Sequence, residues 1–259
     1  MLEPTPISSM NNETVIKVDN LTAAYGDFVV MENVSFEVNQ GEVFVILGGS
    51  GCGKSTLLKH LIGLKDPAQG TILILDDDMG AASTEERNAI LRRIGVMYQS
   101  SALFGSMSLI ENVILPMEEF TNLPMEAMDI IARLKLSLVG LTGFEHHLPA
   151  ELSGGMQKRA AIARAMALDP SILFLDEPSA GLDPVTSAGL DQLILSLRDS
   201  LGITFVIVTH ELDSIYTIAD RVIMLDRRAK TIIAQGAPKV LRDTSDNPWV
   251  RQFFQREPE

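Results

Sequence analysis

Five apolar residues, Val43 to Leu47, run without a polar break into Gly48-Gly49-Ser50-Gly51-Cys52-Gly53-Lys54-Ser55-Thr56. A run that is apolar at every position predicts a strand buried on both faces, as in parallel sheets. The stretch that follows fits G-x-x-x-x-G-K-[ST] and leads into a helical pattern over Lys54–Gly63. Strand, glycine loop and helix in that order make an anion cradle. The glycines let consecutive N–H groups turn inward around phosphate oxygens, and the helix adds the positive end of its dipole. Lys54 is expected to place a point charge on the β/γ oxygens, and Ser55 a hydroxyl on Mg²⁺.

Further apolar runs at Ile94–Tyr98, Ile172–Leu175, Phe205–Val208 and Val222–Leu225 are separated by helical patterns at Met156–Leu168 and Val185–Leu201. Strands alternating with helices predict an α/β fold with a parallel sheet, its site at the carboxyl ends of the strands. From Thr14 to Asn39 the apolar residues alternate and break at Gly26-Asp27, predicting antiparallel strands. Between Ser100 and Glu151 strand signals vanish, and Leu109–Met117 and Met125–Val139 read as helices, with Pro116, Pro124 and Pro149 as punctuation. The expected architecture is a P-loop NTPase (RecA-like) core over 13–99 and 159–240. A loose arm over 1–12, an inserted α-helical subdomain over 100–158, and a closing helix and tail over 241–259 complete it.

The other half of a phosphate site is a hydrophobic strand ending in acids, and Ser171-Ile172-Leu173-Phe174-Leu175-Asp176-Glu177 supplies it. Asp176 at the strand tip would hold Mg²⁺ directly or through water. Glu177, one residue on, would orient and polarise the attacking water as general base.

Composition narrows the partners. The 259 residues carry 34 acidic and 21 basic side chains, a net charge of −13, which argues against nucleic-acid binding and against a polybasic membrane anchor. One cysteine, Cys52, excludes an intrachain disulfide and fits a reducing compartment. No apolar run is long enough to span a bilayer, and the first residues carry no signal-peptide pattern. Cys52 reads as a small residue tolerated in the loop, its thiol acidified by the helix N-terminus and Lys54. His146-His147 lack Cys partners and read as structural, His60 as surface or packing, and Glu118-Glu119 as a solvated turn.

At Glu151-Leu152-Ser153-Gly154-Gly155-Met156-Gln157-Lys158-Arg159 the sequence resembles the signature of ATP-binding-cassette (ABC) transporter ATP-binding subunits, and the resemblance runs from about residue 14 to about 240. It implies that Ser153, Gly154, Gly155 and Met156 open a helix facing ATP bound by a second copy; Met156 stands where the family usually has Gln. It also implies that Tyr25 stacks on adenine and that Gln99 touches Mg²⁺ or the attacking water. By the same resemblance Asp183 lies in a loop that reaches across the dimer, and His210 contacts the γ-phosphate. The segment Gln99-Ser100-Ser101-Ala102-Leu103-Phe104, then Glu111-Asn112-Val113 and Leu115-Pro116, resembles the Mla/Mce lipid-transport ATPases, as does Pro248-Trp249-Val250-Arg251-Gln252-Phe253-Phe254. That likeness implies an ATPase at the cytoplasmic face of the inner membrane, moving lipid between membranes. Its expected partners are two permease copies, an Mce-domain lipid-binding protein and a small STAS-domain regulator. The alternatives are a soluble ABC ATPase of a cytosolic assembly such as iron–sulfur biogenesis, or an ABC motor for another substrate (lipoprotein, amino acid).

Overall fold

The computed structural model of the protein describes residues 13–256, so the arm expected over 1–12 lies outside the described residues. The chain opens as a hairpin, β1 (Thr14–Tyr25) and β2 (Phe28–Asn39), closed at Gly26, whose φ of 58° suits the two-residue turn. β3 (Val43–Gly48) follows, then α1 (Lys54–Leu61), β4 (Gln69–Ile74), β5 (Asp77–Asp78), α2 (Thr84–Leu91) and β6 (Ile94–Met97). Two helices packed on each other come next, α3 (Leu109–Phe120) and α4 (Met125–Leu138), then a single 3-10 turn and α5 (Gly154–Ala165). β7 (Ile172–Asp176), α6 (Pro184–Leu201), β8 (Thr204–Val208), α7 (Leu212–Ile218), β9 (Arg221–Asp226), β10 (Thr231–Gly236), α8 (Pro238–Thr244) and α9 (Pro248–Gln255) complete it.

Two sheets result. One is antiparallel, in the order β2-β1-β4-β5; the other runs β10-β9-β3-β8-β7-β6, parallel except for β10 against β9. β3 sits inside the larger sheet and is buried along its whole length, as its uninterrupted apolar run predicts. Val43, Val45 and Leu47 enter the core shared with α3 to α9, while Phe44 and Ile46 enter the core under the antiparallel sheet. Each such residue contributes about 1.5–3 kcal/mol on burial, so this one strand carries transfer energy on the scale of a domain's net stability. The loop at its end therefore hangs from a strand buried along its whole length.

One expectation changes. α3 continues through Pro116 to Phe120, and Glu118-Glu119, expected in a turn, are exposed on its last turn. An interior proline costs about 3 kcal/mol, but Leu109, Ile110, Val113, Ile114 and Met117 bury one face of the helix and offset it. A capping box at Ser108 and Glu111 starts that helix, the Glu111 carboxylate accepting from the Ser108 amide at 2.7 Å. Of the two readings of His60, packing holds: it is buried, its Nδ1 2.8 Å from the Lys65 carbonyl oxygen. The C-terminal aromatics pack on their own chain. Phe254 is buried against Tyr216, whose hydroxyl donates to the Phe254 carbonyl at 2.8 Å, and the Trp249 ring lies beside Gly49.

Candidate functional site

The carboxyl ends of β3, β7 and β8 are held level by sheet register: Asp176 pairs with Val208, and Val208 with Ile46. Gly48 leaves β3 at φ 147°, Gly51 has φ 73° and Gly53 φ 104°. A side chain at Gly48 would overlap the Leu225 carbonyl oxygen and come within 2.6 Å of the Cys52 sulfur; one at Gly53 would lie 2.9 Å from a Val30 methyl. Only glycine fits this path. Lys54 Nζ donates to the carbonyls of Gly48 (2.8 Å) and Gly49 (3.2 Å), which draws the ammonium back over the loop it follows. Ser55 is exposed in the first turn of α1, and Gly49, Ser50 and Thr56 complete the rim.

Cys52 departs from expectation. It is buried in the core under the antiparallel sheet, and burial pushes its thiol up, with Lys54 opposing by a smaller amount. Desolvation outweighs the helix end because the sulfur points into the core, where a thiolate would lose its hydration. A maleimide at neutral pH should label the native protein at least ~10-fold more slowly than the unfolded chain, since only a thiolate reacts. Equal rates would place the sulfur in water.

Asp176 and Glu177 leave β7 together. Asp176 is half-buried; burial first, then the neighbouring Glu177, push its carboxyl up, while Lys158 and Lys54 pull it down. Glu177 is buried and takes a left-handed backbone, φ 45°, rare for a residue with a β-carbon. Its amide donates to the Val208 carbonyl at 2.8 Å. Oε1 lies 2.8 Å from His210 Nδ1, whereas the buried Oε2 has no hydrogen-bond partner among the described residues. With Glu177 ionised, that contact requires the proton on Nδ1 of His210. The structure thus brings His210 onto Glu177. Gln99 stands at the end of β6 with its side chain exposed.

The remaining predicted residues lie further out. Tyr25 ends β1 half-exposed, and one face of its ring is covered by Lys65, whose ammonium sits 3.1 Å from the ring centre and also donates to the Ala24 carbonyl. Ser153 caps α5, its hydroxyl oxygen accepting from the Met156 amide at 3.3 Å and its own proton left free to donate. Gly154 is exposed. Gly155 is buried against Thr186, whose methyl a side chain there would overlap, so its lack of a β-carbon lets α5 close on α6. Met156 packs against the core. Asp183 uses both carboxylate oxygens to cap α6, accepting from the amides of Val185 and Thr186 at 3.0 Å and from the Thr186 hydroxyl at 2.5 Å.

Three clamps escaped sequence reasoning. Lys158 of α5 is buried and donates to the carbonyls of Gln99 and of Glu177, the latter at 3.4 Å. Arg164 of α5 donates to the carbonyls of Ala102 (2.7 Å) and Ser101 (3.0 Å), both left-handed residues. Asn112 of α3, fully buried, donates to the carbonyls of Phe104, Met107 and Ser108 and accepts from the Phe104 amide. A signal existed for Lys158: it stands three residues after Gly155 and four before Ile162, on a helical stripe that is otherwise buried and small or apolar.

The donor set suits a divalent cation only in company with phosphates. Among the described residues no group of three or more His, Cys, Asp or Glu side chains is gathered to hold a metal ion. Asp176, however, is a carboxylate that burial and Glu177 both disfavour as an anion, and a nearby cation would relieve it.

A glycine loop at the tip of a central parallel strand, with acids on the neighbouring strand tip, defines a P-loop nucleoside triphosphatase. Residues 31–180 match the model of the ABC transporter family, and the chain belongs to that family as an ATP-hydrolysing ATP-binding subunit. It is 45% identical over 239 residues to the probable ribonucleotide transport ATP-binding protein mkl of Mycobacterium leprae, covering 92% of this chain and 68% of that one. It is 39% identical over 236 residues to the intermembrane phospholipid transport system ATP-binding protein MlaF of Haemophilus influenzae, covering 91% and 88%. Its fold matches the dimeric cassette MJ0796 bound to ADP and Pi with a TM-score of 0.77 at 31% identity, over 86% of this chain and 98% of that one.

Proposed function

We propose that this chain powers phospholipid movement between membranes as the nucleotide-binding subunit of a transporter with a dimeric permease. The observation that carries the reading is likeness to MlaF along 91% of the chain and 88% of the relative, well beyond the phosphate motifs. The mkl proteins, of which the chain spans about two thirds, are named for ribonucleotides, and that substrate is the competing outcome of the test.

Residues 100–158 act as the helical subdomain and offer exposed Phe104, with Ala102, Leu103 and Met107, to a permease helix beside Gln99. No described helix is long and apolar enough to cross a membrane, so attachment at the cytoplasmic face runs through that permease, with an Mce-domain protein and a STAS-domain regulator as further partners.

Two copies close head to tail around two ATP molecules. In each site Tyr25 stacks its free face on adenine, and the N–H groups of Gly48 to Thr56 with Lys54 grip the phosphates. Ser153, Gly154, Gly155 and Met156 of the other copy cap the γ-phosphate, next to the Asp183 loop. Ser55, Asp176 and Gln99 would hold Mg²⁺, which when bound offsets charge on the phosphate oxygens. The Glu177 carboxylate accepts a proton from the water whose oxygen attacks the γ-phosphorus, ADP leaves, and His210 holds Glu177 in aim. Phosphate loss removes contacts present only in the closed dimer and lets it open.

Purified with its membrane subunits and placed in vesicles, the complex is expected to turn over ATP faster with phospholipid present and to carry labelled phospholipid to acceptor vesicles. Turnover that responds to ribonucleotides and not to lipid would overturn the substrate reading.

A further inference from the structure

We propose that Lys158 is a positioning residue for hydrolysis, acting through Glu177: its ammonium ties the Gln99 and Glu177 carbonyls to the signature helix and holds the turn that aims the Glu177 carboxylate. The inference rests on the reading of Glu177 as base given above.

Three observations carry it. First, Lys158 is buried, and an ammonium is taken out of water only where its donors are matched. Its partners are not carboxylates but two backbone carbonyls, those of Gln99 and Glu177, at the ends of the adjacent strands β6 and β7. Second, Glu177 is left-handed, a conformation a residue with a β-carbon keeps only when its surroundings over-determine it. Three bonds do so: the amide to Val208 of β8, and the carbonyl accepting both from the Ala180 amide at 3.2 Å and from Lys158 of α5. Without Lys158 the carbonyl keeps its bond to Ala180 within the turn but loses its tie to the signature helix, and the carboxylate loses its fixed aim toward His210. Third, Lys158 lies in the second turn of the helix that Ser153 caps. One helix thus carries the group offered to the partner copy's ATP and the group that sets this copy's base, so a shift of α5 reaches both sites.

Charge agrees with geometry. Burial pulls the Lys158 ammonium down from its ordinary value, and Asp176 and Glu177 oppose that pull. A purely structural buried lysine behaves differently on mutation: its loss leaves buried carbonyls unpaired and lowers Tm, while kcat per folded molecule stays unchanged. Stability and turnover should therefore separate.

The test uses the full chain with ATP turnover, affinity for a fluorescent ATP analogue and thermal melting as readouts, in wild type, Lys158→Met, Lys158→Arg, Glu177→Gln and the Lys158→Met/Glu177→Gln double variant. Lys158→Met is expected to lower kcat ~10- to 100-fold with affinity within ~3-fold, since an active-site group misplaced by about 1 Å costs on that order. Lys158→Arg, whose guanidinium can reach both carbonyls, should restore most of the loss. In the Glu177→Gln background Lys158→Met should change turnover less than ~2-fold, because a residue that acts through Glu177 has nothing left to aim. Unchanged kcat in Lys158→Met, the same fold-loss in both backgrounds, or loss of affinity in proportion to kcat would each overturn the proposal. Should Lys158→Met not fold, Lys158→Gln, which keeps a neutral donor, takes its place in the same cycle. Wild-type turnover in Glu177→Gln alone would instead remove the base assignment on which this inference stands.

Discussion

Glu177→Gln is expected to leave ATP binding intact and to cut turnover by ~10²-fold or more, the contribution of a positioned general base. The substitution keeps shape and removes one function. Glutamine retains an oxygen for His210 Nδ1, so the 2.8 Å contact survives, and the backbone bonds to Val208 and Lys158 do not involve the side chain. What is lost is the negative charge and the second carboxylate oxygen, Oε2, which has no hydrogen-bond partner among the described residues. An amide nitrogen there cannot take a proton from water. Phosphate release measured beside nucleotide affinity separates the two effects, and wild-type hydrolysis in a purified variant would strip Glu177 of its role. The same variant, loaded with ATP, should run as two copies in sedimentation, since the bound γ-phosphate persists and both caps stay engaged. A strictly single-copy species at high concentration, with or without the membrane subunits, would contradict the head-to-tail arrangement.

The second large effect is structural. Gly48→Ala should destabilise the fold by about 3–5 kcal/mol and lower Tm by roughly 10 °C for a chain of this size. Two costs add. At φ 147° a residue with a β-carbon is strained, and the added methyl overlaps the Leu225 carbonyl oxygen of β9 and crowds the Cys52 sulfur. Neither neighbour can yield easily: the carbonyl belongs to a buried strand paired with Gly48 itself, and Cys52 is packed in the core. If the variant folds, relief must come from the loop, so nucleotide affinity falls as well. Melting and binding measured together check this, and a variant with native Tm and affinity would show that the path of the loop is not fixed by β9.

Much of the architecture is legible in the residues. Uninterrupted apolar runs at Val43–Leu47, Ile172–Leu175 and Phe205–Val208 correspond to β3, β7 and β8, because a strand covered on both faces leaves no polar position. Gln69–Ile74 gave no comparable signal: half of β4 is exposed, and its pairing with β1 depends on a hairpin far upstream. The last turn of α3, through Glu118-Glu119 to Phe120, is not legible locally, because a proline and two acids look like a helix end while the apolar face that carries the helix past them belongs to the core. Cys52 misled, since proximity to Lys54 is visible in sequence while burial of the sulfur is not. Glu177 and His210 were each legible from position, yet their contact was not, because 33 residues separate them and only the adjacency of β7 and β8 closes the gap.

Sequence alone determined the phosphate cradle and the class of chemistry. Inward-pointing amides require glycines at fixed spacing beside a buried strand, and that requirement is local. Tertiary structure decided how the catalytic groups are braced: Lys158 meets residues 59 and 19 positions away at Gln99 and Glu177, and both meetings exist only because α5 packs where β6 and β7 end side by side. Local periodicity says which face of a helix is buried; what that face touches is set by the order of strands in the sheet.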